Sequence, residues 1–277
     1  MIDRARLLAM DPIVAEQLLT PREVILYALG VGAAELPFVY EEQLQALPMM
    51  AAVLGYPGFI WRDPAIGADW CRLLHAEQSL QLCAPLPVQG LVRGETRFVE
   101  IYDKGPEKGA LARTQRRIFD AAGTLLAVAE AATFLRGDGG CGGPSSGAPA
   151  PHPIPDRAPD LVLHMPSAAN QALLYRLSGD WNPLHVDPAT ARAAGFDRPI
   201  LHGLCTYALA GRAVLAGLLN NAPQRLRRLN VRFSAPFYPG ETLEVRLWRE
   251  GEASAGFQAF AAERGVKVLD NGLAAFA

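Results

Sequence analysis

The sequence predicts an α+β fold built twice, and three observations carry that prediction. A helical run at residues 202–219, HGLCTYALAGRAVLAGLL, is apolar nearly all round, so it has no face to turn to solvent and must be buried on most sides. β-rich runs with turn punctuation follow it, as expected of an antiparallel meander wrapped around that helix. Two short matches also recur in the same order at offsets of 148 and 151 residues. Tyr27-Ala28-Leu29 answers Tyr175-Arg176-Leu177, and Ala84-Pro85 of LQLCAPLPVQG answers Ala235-Pro236 of VRFSAPFYPG. Such self-similarity points to an internal duplication.

Taken in order, the first half opens on a helical segment around Tyr27, and TRFVEIYDKG, ALARTQRRIFDAAG and TLLAVAEAATFLRG then form a meander turned by KGPEKG and AAG. Residues 137–160, GDGGCGGPSSGAPAPHPIPDRAPD, are almost wholly Gly, Pro, Ser, Ala and Asp. They cannot bury an apolar face and read as a linker between a first half, residues 1–136, and a second half, residues 161–277. In the second half, Asp187-Pro188 is an N-cap followed by the first helical residue, and the short helix it opens stops at Gly195. After the buried helix come LRRLNVRFSAPF, a turn at Tyr-Pro-Gly-Glu, TLEVRLWRE, and the short β-like runs GFQAFAAERG and VKVLDNGLAAFA.

With 277 residues, 50% of them hydrophobic, the chain can bury a large core; its net charge of -2 argues against a nucleic-acid surface, which needs a basic face. No stretch reaches the ~18 uninterrupted apolar residues of a membrane span, and the N-terminus lacks the apolar core of a signal peptide. Cys71, Cys83, Cys141 and Cys205 are scattered without C-x-x-C spacing, which suits a reducing cytosol and indicates neither a zinc site nor a disulfide framework. The expected location is the cytoplasm. The remaining His residues draw bland readings: His152 solvated in the linker, His75 a satisfied core or surface histidine, His202 at the helix entry with no assigned role.

The chemistry concentrates in SGDWNPLHVD, where Asp180 and His185 are five residues apart. Pro183 disfavours helix at Asn182, and Ser178-Gly179 loosens the chain on the other side, so the acid and imidazole sit on a loop that can aim both at one spot. An Asp and a His converging on water make a general acid–base pair, with Asn182 placed to hold the water or a ligand. The same two residues could instead cap a turn and fill a core hydrogen bond. Asp187 is a cap and not an acid of the site. Gly203 opens the buried helix, where unpaired backbone N–H groups and the helix dipole can polarise a carbonyl oxygen. No metal-type cluster is evident, and no metal is assigned.

SGDWNPLHVD followed by AGFDRPILHGLCTYALAGRAV resembles the hydratase 2 motif of the MaoC-like (R)-specific enoyl-CoA hydratases. The dense match covers about 40 residues, and the two-part layout resembles the double-hotdog form across nearly the whole chain. The resemblance implies two repeats, each an antiparallel sheet wrapped around a long helix. It implies that Asp180 and His185 activate water with Asn182 ordering the site, and that the Gly203 N–H receives the thioester oxygen of an acyl-CoA substrate. It also implies that no cofactor beyond the substrate's own CoA is needed, and that the chain forms a homodimer. The first half reads YALGVGAAELPFVY where the motif should be, so it is expected to be catalytically empty and to accommodate the acyl chain. Leu47, Pro48, Met49 and Met50 are candidates for the lining of that space, with ordinary core packing the alternative. The CoA phosphates need cations, and among Arg225, Arg227, Arg228 and Arg232 strand alternation puts Arg228 and Arg232 on one face. A hotdog thioesterase and a dehydratase acting on acyl-carrier-protein thioesters are the competing readings; a non-catalytic acyl-CoA binder is a third.

Overall fold

The computed structural model describes residues 1–277, and its ten strands form one antiparallel sheet. The first half contributes β1 (Ile13–Leu19), β2 (Leu73–Leu82), β3 (Gly90–Asp103), β4 (Ala110–Asp120) and β5 (Leu125–Leu135). The second contributes β6 (Leu161–Pro166), β7 (Leu226–Phe233), β8 (Thr242–Arg249), β9 (Ser254–Ala261) and β10 (Val266–Phe276). Their order, β1-β3-β4-β5-β2-β7-β10-β9-β8-β6, is the same five-strand arrangement run outward twice from the β2–β7 junction. At that junction Glu77 pairs with Arg232 and Gln81 with Arg228, with Ser79 and Asn230 midway between. Ser79 and Asn230 stand 151 residues apart, the offset of the Ala-Pro repeat, and the Ser79 hydroxyl donates to the Asn230 amide oxygen at 2.7 Å. Each half therefore meets the other through its own duplicate image, the self-complementary contact that twofold symmetry requires.

The helices are α1 (Arg4–Ala9), α2 (Pro21–Gly30), α3 (Leu36–Val39), α4 (Gln171–Tyr175), α5 (Pro188–Ala193) and α6 (Gly203–Leu218). α2 starts in a capping box: the Thr20 N–H donates to the Glu23 carboxylate at 2.7 Å, and Pro21 takes the first helical position. Asp187 caps α5 as expected, accepting from the N–H groups of Ala189 and Thr190, and Gly195 follows the helix at φ +89°. Eleven of the sixteen residues of α6 are buried, as its apolar surface demands. Tyr27 of α2 and Tyr175 of α4, the ends of the 148-residue offset, face each other with ring centroids 6.1 Å apart.

Two regions differ from the sequence expectation. The first half has no long helix of its own: where α6 lies in the second half it has only the five-residue 3-10 turn Pro48–Ala52. α6 serves as the central helix for the whole sheet, and a Cβ on Gly211 would lie 2.6 Å from the Met49 sulfur, so the turn rests directly on it. Leu47, Met49 and Met50 are at most 3% exposed in the main core, so their role is packing. The Gly/Pro-rich segment, expected in solvent, is fastened down. The Asp138 carboxylate is fully buried and accepts from the N–H groups of Ile2 and Asp69 at 3.1 and 3.0 Å. Asp103 accepts from Gly140 and Gly142, and His152 sits 3.1 Å from the Glu250 carboxylate instead of in water. Hydrogen bonds to its backbone groups and few side chains hold this segment for the most part, which is why its composition did not reveal the order.

Candidate active site

Gly179, at φ +116°, turns the chain after a 3-10 turn at Arg176–Ser178 and delivers Asp180 half-buried into a cavity of about 1360 Å³. The next residues lock into a second 3-10 turn, Pro183–His185. Its start is capped by Asn182, whose amide oxygen accepts from the Leu184 N–H at 3.1 Å, while the Asn182 N–H donates to the Asp180 carboxylate at 3.1 Å. His185 arrives 8% exposed with Nδ1 2.9 Å from the Ile200 carbonyl oxygen. A carbonyl only accepts, so Nδ1 carries the proton and Nε2 presents a free lone pair. Burial lowers the pKa of His185, with Asp180 opposing, which keeps the ring neutral and able to take a proton at neutral pH.

His202 completes the cluster. Its ring stacks on His185 at 3.8 Å between centroids, and its Nε2–H donates to the Asp180 carbonyl oxygen at 3.2 Å. Burial first, and the neighbouring His185 second, push its pKa down to about 3. One donor atom from each of Asp180, His185 and His202 lies within 4.8 Å of the others, the only such grouping able to approach a metal ion. Two stacked imidazoles, each engaged with a backbone carbonyl through its own N–H, aim their lone pairs poorly at a common centre, so the cluster suits proton transfer better than ligation. Beside it, α6 begins: Gly203 and Leu204 line the cavity, and their N–H groups have no backbone acceptor. The Phe233 ring lies 3.2 Å from where a Gly203 Cβ would stand, so a larger residue would crowd this approach.

The structure thus brings Asp180, Asn182, His185 and Gly203 to one cavity and leaves Arg228 outside it, its Nε donating to Asn230 at 3.2 Å. Arg232 lines the cavity and pairs with Glu77 at 3.3 Å. Arg225 and Arg227 are engaged with the carbonyls of Ala277 and Gln224. Much of the lining comes from the first half and was missed. His75, 4.8 Å from the Phe233 ring, donates from Nε2 to the Glu77 carbonyl at 3.0 Å, and burial pushes its pKa down to about 4. Tyr56, Thr96 and Arg116 face the same space, as do Arg62, Arg72, Lys104 and Arg136. No local pattern marks these positions, because only the assembled sheet and its loops bring them to one cavity.

Fold and site together define a double hotdog with an acid–imidazole pair at the N-terminus of its central helix. Residues 18–137 match the MFE-2 hydratase 2 N-terminal domain and residues 151–271 the MaoC like domain. The chain belongs to the MaoC-like hydratase 2 family. It is 39% identical to the probable enoyl-CoA hydratase 2 of Dictyostelium discoideum, over 92% of this chain and 90% of that protein. It is 38% identical to the mouse peroxisomal multifunctional enzyme type 2 over 91% of this chain, and spans 36% of that longer protein. The crystal structure of a MaoC-like dehydratase from Phytophthora capsici is similar at TM-score 0.90 and 35% identity, over 99% of this chain and 98% of that one. A double-hotdog protein of Mycobacterium tuberculosis shares the fold at TM-score 0.56 and 17% identity, over 96% and 95% of the two chains.

Proposed function

We propose that the chain is an (R)-specific enoyl-CoA hydratase, adding water reversibly to a trans-2-enoyl-CoA to give a (3R)-3-hydroxyacyl-CoA. The observation that carries this reading is the convergence of the Asp180 carboxylate and the neutral His185 within 4.8 Å, beside the unpaired N–H groups that open α6. In the forward direction the thioester oxygen accepts from the Gly203 N–H, which stabilises the enolate formed as water attacks C3. Asp180 and His185 hold the water, accept one of its protons and return a proton to C2. The hydroxyl ends on C3, and atoms and charge balance with no oxidant or reductant. Neither a redox cofactor nor a metal is needed for this addition. Asn182 acts by fixing the turn that aims both groups.

The same proposal divides the chain into an acyl-accommodating first half, residues 1–136, the connecting segment 137–160, and a catalytic second half, residues 161–277. The CoA phosphates would meet Arg232, the exposed Arg62 and Arg136 and the half-buried Lys104 at the cavity rim, with Arg228 set aside. A cytoplasmic location and a homodimer of this double unit are part of the proposal; no helix is long and apolar enough to cross a membrane.

Asp180→Asn and His185→Gln are each expected to lower kcat for crotonyl-CoA by at least ~10²-fold in folded protein, the scale of lost acid–base catalysis. The assay follows loss of the conjugated enoyl absorbance, with chiral chromatography of the product. Near-full activity in either variant, or an (S) alcohol, overturns the assignment. Release of free CoA thiol instead of hydration would favour the thioesterase reading.

A further inference from the structure

The first-half wall of the cavity carries a buried charge that no acid in the chain neutralises. Arg116 of β4 faces inward, is 8% exposed and lines the cavity. One of its Nη groups donates to the Ala52 carbonyl, but its Nε–H has no partner. The Tyr56 ring stands 5.1 Å from the guanidinium carbon, and no carboxylate pairs with Arg116. Its neighbour on the outward face of the same strand shows the contrast: Arg113 pairs with both Glu77 and Glu130 at 3.2 Å. Burying a cation without an anion is costly, and desolvation brings the pKa of Arg116 down to about 10.

The surroundings are also unusually polar for a space that would hold hydrocarbon. Thr96 sits opposite Arg116 in the β3–β4 register, is 5% exposed, and its hydroxyl has no partner. Gln78, Thr114 and Thr133 line the same wall, while Ala129, opposite Arg116 on β5, and Ala131 leave room above it. Tyr56, whose ring faces Arg116, lines the same cavity as the catalytic pair.

We propose that Arg116 with Thr96 forms a subsite for the far end of the acyl group, and that it selects acyl-CoA thioesters whose chain ends in a carboxylate. A carboxylate offers two oxygens to the guanidinium fork and cancels its charge, with the Thr96 hydroxyl donating to a remaining lone pair. A hydroxyl or keto group would satisfy hydrogen bonds but leave the charge buried. The CoA phosphates have exposed cations in Arg62 and Arg136 on the same cavity, which leaves Arg116, 8% exposed, for the other end of the substrate. The thioester part of the inference rests on the hydratase reading; the anion part does not.

The test is therefore a binding measurement that needs no turnover. Calorimetry on the intact chain compares saturated acyl-CoAs ending in a carboxylate with methyl-terminated and methyl-ester analogues, over a series of chain lengths. At the length that reaches Arg116, the carboxylate should bind at least about tenfold tighter than either analogue, the scale of one charge-assisted hydrogen bond. Arg116→Met should erase that preference and Arg116→Lys should retain part of it. Equal or weaker binding of the carboxylate at every length overturns the subsite, as does a preference that persists in Arg116→Met. If that variant fails to fold, the wild-type comparison of carboxylate with methyl ester decides alone. Hydration assays on the corresponding 2-enoyl thioesters separate the two proposals: a binding preference without any hydration sinks the hydratase reading and leaves the subsite standing.

Discussion

Gly203 is where backbone and proposed chemistry coincide, and it allows a substitution that removes one N–H alone. It is the first residue of α6, the position where proline is best tolerated, and His202 before it already holds φ -56° and ψ 133°, the extended conformation that precedes proline. Gly203→Ala keeps the N–H and adds the Cβ that meets Phe233; Gly203→Pro adds a comparable bulk and deletes the N–H. We predict that Pro lowers kcat a further ~10²-fold below Ala, the cost of one oxyanion donor, in steady-state hydration assays at equal thermal stability. The buried imidazoles predict a pH effect with a definite sign. The native pKa values of His202 and His75 lie at about 3 and about 4, below the ordinary value near 6.5. The unfolded chain therefore binds protons that the native chain refuses as pH falls from about 6.5, so stability present above that pH is progressively lost below it. Urea unfolding between pH 7.5 and 5.5 should register the loss, and His75→Gln should reduce its slope. Asp180 and His185 were legible in the sequence because both lie on one short loop. His75 and Arg116 were not, because only the assembled sheet brings them to the cavity.

At the level of elements, α6 carries the fold of both halves, and its small residues are what allow the close approach. A side chain at Gly211 meets Met49 and Leu229, and one at Gly217 meets Leu163 and Leu247. The apolar character of α6 was readable from residue types; that the first half would surrender its own helix to it was not. LPMMAAVLG contains good helix formers, yet it closes after one 3-10 stretch because α6 already occupies the space a longer helix would need. We expect Gly211→Val to destabilise by about 1–3 kcal/mol through overpacking. Met49→Ala should recover part of that loss, giving a coupling energy above ~0.5 kcal/mol in a denaturation double-mutant cycle. Additive effects would mean that α6 and the first-half turn do not share a core.

Across the whole molecule, two short sequence matches foretold a symmetry that the sheet displays residue by residue. The β2–β7 junction is centred on Ser79 and Asn230, a pair at the same 151-residue spacing, and the register there could not be read from either strand alone. The Gly/Pro-rich segment misled for a related reason: its anchors, Asp103, Asp138 and Glu250, are distant in sequence or satisfied by backbone groups that composition does not display. One core of 48 buried residues runs through both halves, joining Tyr27, Met49 and Leu80 to Tyr207, Leu229 and Phe257. Residues 161–277 expressed alone would expose the β7 edge that β2 now covers, together with the face of α6 that rests on Met49. An open strand edge beside uncovered apolar surface invites association. The fragment should therefore elute in size-exclusion chromatography as oligomers or aggregate, and co-expression with residues 1–160 should return it to a discrete complex. A stable, monomeric fragment with cooperative unfolding would show that the halves fold independently, and the shared core would then be an interface between two domains.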